Sequence, residues 1–173
     1  MGVLASVLLL YNGLYTLLKG RTLLALFPGA VAGAMPPVLG WVCAGGAPWD
    51  REALTLGLLF LLWQVPHFWL AAERCSPDYE NAGLPLPWHL FGRGRYGGVL
   101  ALWVAAFCVL LLAFPAFGFV HSIVSQVAML VSAACLMGAL CVPALRPKVL
   151  FHVVNVSMAT VCLILVAEKV YGG

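Results

Sequence analysis

Polar side chains that could bind an anion lie near the start of this apolar chain. Asn12, Tyr15, Thr16 and Lys19 are spaced i, i+3, i+4 and i+7, which places them on one face of a predicted helix. Polar side chains in a membrane helix turn toward the protein interior. Lys19 and Arg21 then place two cations where the helix ends, and this arrangement suits a phosphate group. The alternative is that both cations only anchor the helix end by snorkelling to the membrane surface.

The stretch 63–69 combines aromatic residues with a glutamine and a histidine within two helical turns. Gln64, His67, Arg74 and Asp78 fall near one face if that helix continues past residue 72. A histidine in a membrane segment indicates either a ligand contact or a hydrogen-bonded core residue. Together with His152 it could ligate one heme iron, or each histidine could bond only to its own neighbours.

The longest polar stretch, 73–97, contains three carboxylates, Glu73, Asp78 and Glu80. Mg²⁺ bound to a diphosphate typically needs one or two carboxylates besides phosphate oxygens and water. The stretch therefore suggests a site for a metal and a diphosphate, and the alternative is a solvated loop. A connection of this length is usually functional or disordered.

The second apolar stretch contains many residues that break helices: Pro28, Gly29, Gly33, Pro36, Pro37 and Gly40. Irregular backbone at membrane depth persists only where protein or a cavity covers it. Small residues four apart also let helices approach closely. The stretch is thus either a cavity wall or a packing seam.

The composition determines the class of element that must position these residues. Of 173 residues, 64% are hydrophobic and 9% are charged, and the mean hydropathy is +1.04. Soluble domains have about half apolar and a quarter charged residues, and disordered chains combine low hydrophobicity with high net charge, so both classes are excluded. The chain is predicted to be a polytopic membrane protein. Its six cysteines form no C-x-x-C pair and are interpreted as small buried hydrophobes.

A membrane helix needs about 20 mostly apolar residues. Stretches that qualify or nearly do are 1–17, 23–46, 53–72, 98–118, 122–143 and 149–170. Assigning alternate joints to alternate sides puts seven Lys and Arg residues on one side and two on the other. Because basic residues in short loops stay cytoplasmic, the joints at 18–22, 73–97 and 144–148 are predicted to face the cytoplasm.

Four motifs carry a family resemblance: Y-T-L-L-K-G-R-T at 15–22, G-A-M-P-P-V-L-G-W at 33–41, W-Q-V-P-H-F at 63–68 and D-Y-E-N-A-G-L-P at 78–85. In order and spacing they resemble the heme O synthase (protoheme IX farnesyltransferase) branch of the UbiA superfamily of intramembrane prenyltransferases. The resemblance implies an all-α transmembrane bundle of about six helices, an incomplete UbiA-type fold formed by a single domain, 1–173. It covers the later six of nine expected helices. The first three, with their Asp-rich segment N-x-x-x-D-x-x-x-D, are expected to be absent.

The resemblance also implies an activity, the transfer of a farnesyl group from farnesyl diphosphate to a vinyl group of heme b. It implies Mg²⁺ bound with the diphosphate and held partly by Asp78, beside Tyr79. Lys19 and Arg21 would clamp the diphosphate, with Arg74 a weaker candidate. The substrate-binding residues expected from the motifs are Asn12, Tyr15, Gln64, His67, Arg74 and Tyr79, and His67 is the candidate for contacting heme.

The expected location is the bacterial inner membrane, with the active face toward the cytoplasm. Besides its substrates and the lipid bilayer, expected partners are complementing N-terminal helices or a second copy of the chain, and no nucleic acid. Two alternatives stay open. One is a non-catalytic assembly partner that binds heme or a prenyl lipid, and the other is a small transporter or channel.

Overall fold

A computed structural model describes residues 9–18, 22, 26–142 and 148–171, and these residues contain helices and turns without any strand. The predicted all-α class is therefore confirmed, as a helical membrane bundle. The helices in chain order are α1 (a π-helical segment, Leu9–Tyr15, followed by Thr16–Leu18), α2 (Leu26–Cys43), α3 (Arg51–Arg74), α4 (Ser76–Asn81), α5 (Pro87–Phe91), α6 (Arg93–Ala113), α7 (Ile123–Leu140) and α8 (Lys148–Tyr171).

Among the described residues, four helices are long and apolar enough to cross a membrane: α3, α6, α7 and α8. They match the third to sixth predicted spans. The second predicted span is the shorter helix α2. Of the first, 1–17, residues 9–17 belong to α1 and residues 1–8 lie outside the described residues. Helix α6 begins five residues earlier than predicted, at Arg93. Gly92, at a φ of +78°, redirects the backbone there, and its carbonyl accepts the first helical hydrogen bonds from Arg95 and Tyr96.

The chain divides into two compact units, 1–97 and 98–173. In the first, Ala30, Ala34 and Val38 are buried at four-residue intervals along α2. A Cβ atom at Gly57 of α3 would lie only 3.1 Å from the Val38 side chain. Pro36 and Pro37 lie inside α2 without ending it. The glycine- and proline-rich stretch is therefore a continuous helix packed closely on α3, which favours the packing-seam interpretation.

In the second unit, α7 and α8 pack through apolar residues that recur every three or four positions. These are Met129, Ala133, Leu136 and Leu140 on α7, and Leu150, Val154, Met158 and Val161 on α8. Such spacing places each set on one helical face. Glu168 of α8 caps α7, because its carboxylate accepts the backbone N–H groups of His121 at 2.9 Å and Ser122 at 3.1 Å.

The turn between α2 and α3 is closed by a tryptophan and an aspartate. The indole N–H of Trp41 donates to Asp50 Oδ2 at 2.8 Å, and the backbone N–H of Ala47 donates to the same oxygen at 2.7 Å. These two donors, the indole first, lower the pKa of the Asp50 carboxyl. The Trp41 ring lies directly over Gly46. We call Trp41, Gly46, Ala47 and Asp50 the turn clasp.

All six cysteines are free thiols, in agreement with the lack of a C-x-x-C pair. Their interpretation as buried residues is wrong for most of them. Only Cys108 is buried, Cys162 is half-buried, and the remaining four, Cys43, Cys75, Cys135 and Cys141, are exposed. Cys43, Cys75 and Cys141 lie at helix ends. Cys135 lies inside the membrane-length helix α7, where lipid tails suit a small apolar thiol as well as a protein core does.

Candidate substrate-binding site

The second half of α3 carries the W-Q-V-P-H-F motif as regular helix. The Trp63 and His67 rings lie one turn apart with centroids 4.8 Å from each other, and the Phe68 ring lies 5.4 Å from that of His67. Within the described residues, two buried polar atoms have no hydrogen-bond partner, Nε1 of Trp63 and Oε1 of Gln64. A polar atom that is buried without a partner costs free energy, so a donor and an acceptor are available here for a ligand or water.

Gln64 connects this motif to the glycine- and proline-rich motif of α2. Its side-chain amide lies on Gly33, and a Cβ atom at Gly33 would be only 2.6 Å from Gln64 Cδ. Pro37 has no N–H, so the Gly33 carbonyl lacks its usual helical donor. The two predicted motifs therefore meet where a glycine leaves room for the amide and a proline removes one helical donor.

Helix α1 contacts α2 at a second glycine. A Cβ atom at Gly29 would lie 2.8 Å from Cδ2 of the Tyr15 ring, so the ring fits only because position 29 is glycine. Tyr15 is half-buried there, whereas Asn12 and Thr16 are exposed. The π-helical hydrogen bonds of Leu9–Tyr15 run from i to i+5 and change the angle between successive residues. The predicted polar face is therefore not one uniform surface, and Lys19 lies outside the described residues.

Helix α3 continues past Ala72 but ends at Arg74, and Asp78 belongs to the separate helix α4, so the condition for a shared face is met for Arg74 but not for Asp78. Helix α4 ends in a Schellman motif, in which the Leu84 N–H donates to the Tyr79 carbonyl at 2.9 Å and Gly83 has a φ of +63°. Asp78 and Arg74 are exposed and Tyr79 is half-buried. The D-Y-x-x-A-G-x-P motif is thus a capped helical turn that presents a carboxylate.

An aromatic cluster fixes the segment after α4. The Trp69 ring contacts those of Phe91 at 5.5 Å and Tyr96 at 6.1 Å, and Trp88 lies 5.9 Å from Tyr96. The Tyr96 hydroxyl donates to Glu73 Oε2 at 3.0 Å. Tyr96 was not among the predicted site residues, because the whole stretch 73–97 was interpreted as one connection. The aromatic residues in the last third of that stretch, with Trp69 before it, are the signal that could have revealed it.

The described residues contain no group of three or more His, Cys, Asp or Glu side chains that could hold a metal ion. Asp78 offers one exposed carboxylate, which fits a divalent ion that arrives on a diphosphate but not a resident metal centre. The predicted clamp residues Lys19 and Arg21 lie outside the described residues. His67 belongs to the first unit and His152 to the second, so a shared heme iron stays a prediction.

A family model described as the UbiA prenyltransferase family matches residues 1–166, and the chain belongs to this family. It is 44% identical to a protoheme IX farnesyltransferase of Oleidesulfovibrio alaskensis over 95% of this chain and 58% of that protein. It is 37% identical to a protein of the same name from Nitratidesulfovibrio vulgaris strain DP4, over 95% of this chain and 57% of that protein. A third, from Geobacter sulfurreducens, is 50% identical over 66% of this chain and 42% of its own length.

The chain thus spans about three fifths of the length of the first two relatives. No solved structure matches it. Prenyltransferases of this family generally use a divalent metal with their diphosphate substrates, and the apolar helices make the chain an integral membrane protein.

Proposed function

We propose that the chain is the larger part of a heme O synthase, which transfers farnesyl from farnesyl diphosphate to a vinyl group of heme b. The observation that carries the proposal is the contact between α2 and α3, where the Gln64 amide lies on Gly33 and its Oε1, like Nε1 of Trp63, is buried without a hydrogen-bond partner. The names of the relatives support an enzyme, and no observation favours the non-catalytic partner or the transporter.

The reaction is a substitution at an allylic carbon. The C–O bond of farnesyl diphosphate breaks and the diphosphate leaves with the bonding electrons. The vinyl double bond then attacks farnesyl C1, and water adds to the resulting cation with loss of a proton, giving the hydroxyethylfarnesyl group. Developing charge in such a step is stabilised best by groups that are already in place in a site of low dielectric constant.

Each proposed residue contributes through its chemistry. Lys19 and Arg21 bind the diphosphate oxygens as fixed cations, with Arg74 as a further cation. Asp78, beside Tyr79, would hold Mg²⁺, and the ion would supply positive charge against the diphosphate. These groups act on the cytoplasmic side, as the positive-inside count supports.

The other end of the site would bind the organic parts of the two substrates. His67 contacts heme at iron or at a propionate, and Gln64 supplies an amide beside it. The faces of aromatic rings such as Tyr15, Trp63 and Phe68 stabilise the allylic cation. Asn12 is exposed, and a polar side chain facing lipid is costly, which supports contact with substrate, with complementing N-terminal helices or with a second copy of the chain.

The test is to express the chain in bacterial inner membranes, alone and with the N-terminal three helices of a full-length relative. Conversion of heme b to heme O is then measured with Mg²⁺ and farnesyl diphosphate. Conversion under either condition supports the proposal, and activity only with the added helices assigns part of the metal and diphosphate site to them. Heme binding without conversion under both conditions would contradict it and indicate the non-catalytic relative.

Matched variants test the residues. Asp78→Asn removes the proposed ligand and is expected to lower kcat/KM at limiting Mg²⁺ by about 10–100-fold. Glu80→Gln, an equally exposed carboxylate on the same helix, is the control and stays near the parent. His67→Ala is expected to weaken heme binding, measured by titration of the Soret band, and unchanged affinity would remove His67 from the site.

A further inference from the structure

Helix α4 has little packing of its own that would determine where Asp78 lies, since Ser76 and Tyr79 are no more than half-buried. None of its residues is buried, and Asp78 and Glu80 are both exposed. Short exposed elements with few buried contacts open at low free energy. The position of the carboxylate must therefore be determined by the segments on either side of α4.

The segment that follows α4 is well packed. Leu86 is fully buried, and the N–H of Leu86 donates to Nδ1 of His89 at 3.2 Å. Phe91 and Trp88 contact Trp69 and Tyr96 as described above, which holds α5 against α3 and the start of α6. The part of the connection after α4 is therefore held by packing, and α4 lies between this packed part and the end of α3.

One side-chain hydrogen bond joins the two ends of the connection. Tyr96, in the first turn of α6, is only 7% exposed, and its hydroxyl donates at 3.0 Å to Glu73, in the last turn of α3. Cys75 follows Glu73 by two residues and accepts the first backbone hydrogen bonds of α4 from Asp78 and Tyr79. A hydrogen bond to a carboxylate is about twice as strong as one between neutral groups. The bond therefore joins the two ends of the connection at Glu73, five residues before Asp78 in the chain.

We propose that Tyr96 is a positioning residue, whose hydrogen bond to Glu73 holds the 75–92 connection, and with it Asp78, in the geometry that binds the metal-loaded diphosphate. The inference rests on the proposed function for the identity of that ligand. The hydrogen bond and its effect on the connection do not depend on that identity. Tyr96 acts through Glu73 and the connection and does not touch substrate.

The role of the Tyr96–Glu73 hydrogen bond in holding the connection closed is tested by trypsin cleavage after Arg74. This arginine is exposed and directly follows Glu73. The sample is the detergent-solubilised full chain. Tyr96→Phe keeps the aromatic ring and removes only the hydroxyl, and we expect cleavage about 3–10-fold faster than in the parent. Glu73→Gln retains an oxygen that accepts the hydroxyl but loses the charge, so its cleavage rate is expected to lie between those of the parent and Tyr96→Phe. Glu73→Ala, which leaves the aromatic cluster complete, is the second loosening variant should Tyr96→Phe not fold.

Positioning is separated from simple stability by steady-state kinetics in membranes where the parent is active. Tyr96→Phe is expected to raise KM for farnesyl diphosphate at limiting Mg²⁺ by about 5–10-fold and to change kcat less than about twofold. Unchanged cleavage in both loosening variants, or faster cleavage with an unchanged KM, overturns the proposal. If the parent transfers no farnesyl in any membrane, that result counts against the proposed function instead. The cleavage rates still test whether the Tyr96–Glu73 hydrogen bond holds the connection closed.

Discussion

One methyl group added at Gly46, in the turn clasp, is expected to destabilise the fold by a steric clash. At Gly46 an added Cβ would overlap the Trp41 indole, with Cε2 only 2.8 Å away. The ring is rigid and is held by its hydrogen bond to Asp50, so it cannot rotate away without breaking that bond. Gly46 does not have a positive φ, so alanine meets no backbone strain and the effect of Gly46→Ala is steric.

The magnitude follows from the cost of overpacking, about 1–3 kcal/mol for an inserted methyl group. For a chain of 173 residues, 1 kcal/mol changes the melting temperature by about 2–4 °C. We therefore expect Gly46→Ala to lower the melting temperature by about 4–8 °C, for a cost near 2 kcal/mol. Gly40→Ala is the control, since nothing lies within 4 Å of its added Cβ in α2 and its higher helix propensity stabilises by up to about 1 kcal/mol.

The assay is the fraction of monodisperse protein that remains after heating in detergent, measured by size-exclusion chromatography with fluorescence detection. The same substitution is repeated in a Trp41→Ala background, where a steric effect must disappear because the ring is gone. If Gly46→Ala melts with the parent, or costs as much without Trp41 as with it, the indole does not lie over position 46 and the reasoning is refuted.

Three further predictions concern other sites. Two N–H donors lower the pKa of the Asp50 carboxyl in the folded state. The ionised carboxyl therefore stabilises the fold fully above the ordinary carboxyl pKa of about 3.9, and this stabilisation is lost as the pH falls through the lower folded value. Melting curves should show this acid dependence in the parent and lose it in Asp50→Asn. Gly33→Ala pushes aside the flexible Gln64 amide, so farnesyl transfer should fall by about tenfold or more while the melting temperature changes little, whereas Gly40→Ala should keep its activity. Glu168→Ala removes the acceptor for two backbone N–H groups before α7 and should lower the melting temperature more than Glu168→Gln, which keeps one accepting oxygen.

Composition and periodicity were sufficient to predict an all-helical membrane bundle, because a run of about 20 apolar residues has few other stable conformations in lipid. Among the described residues, four predicted spans correspond to helices long enough to cross a membrane and a fifth to the shorter helix α2, and the motifs indicated the family that the comparison then showed. Boundaries were less predictable. Arg93 was assigned to a loop, yet it begins α6, because a positive φ at Gly92 starts a new helix where charge alone suggests a connection.

The sequence by itself determined the class of protein and the residue types available for chemistry, since both follow from local composition and spacing. Only the tertiary structure decided which of these residues meet. Gln64 and Gly33 are 31 positions apart, and their contact depends on how α2 packs against α3. Tyr96 and Glu73 are 23 positions apart, and neither residue suggests the other. Such pairs are determined by the packing of whole helices, and no local pattern in the chain encodes that packing.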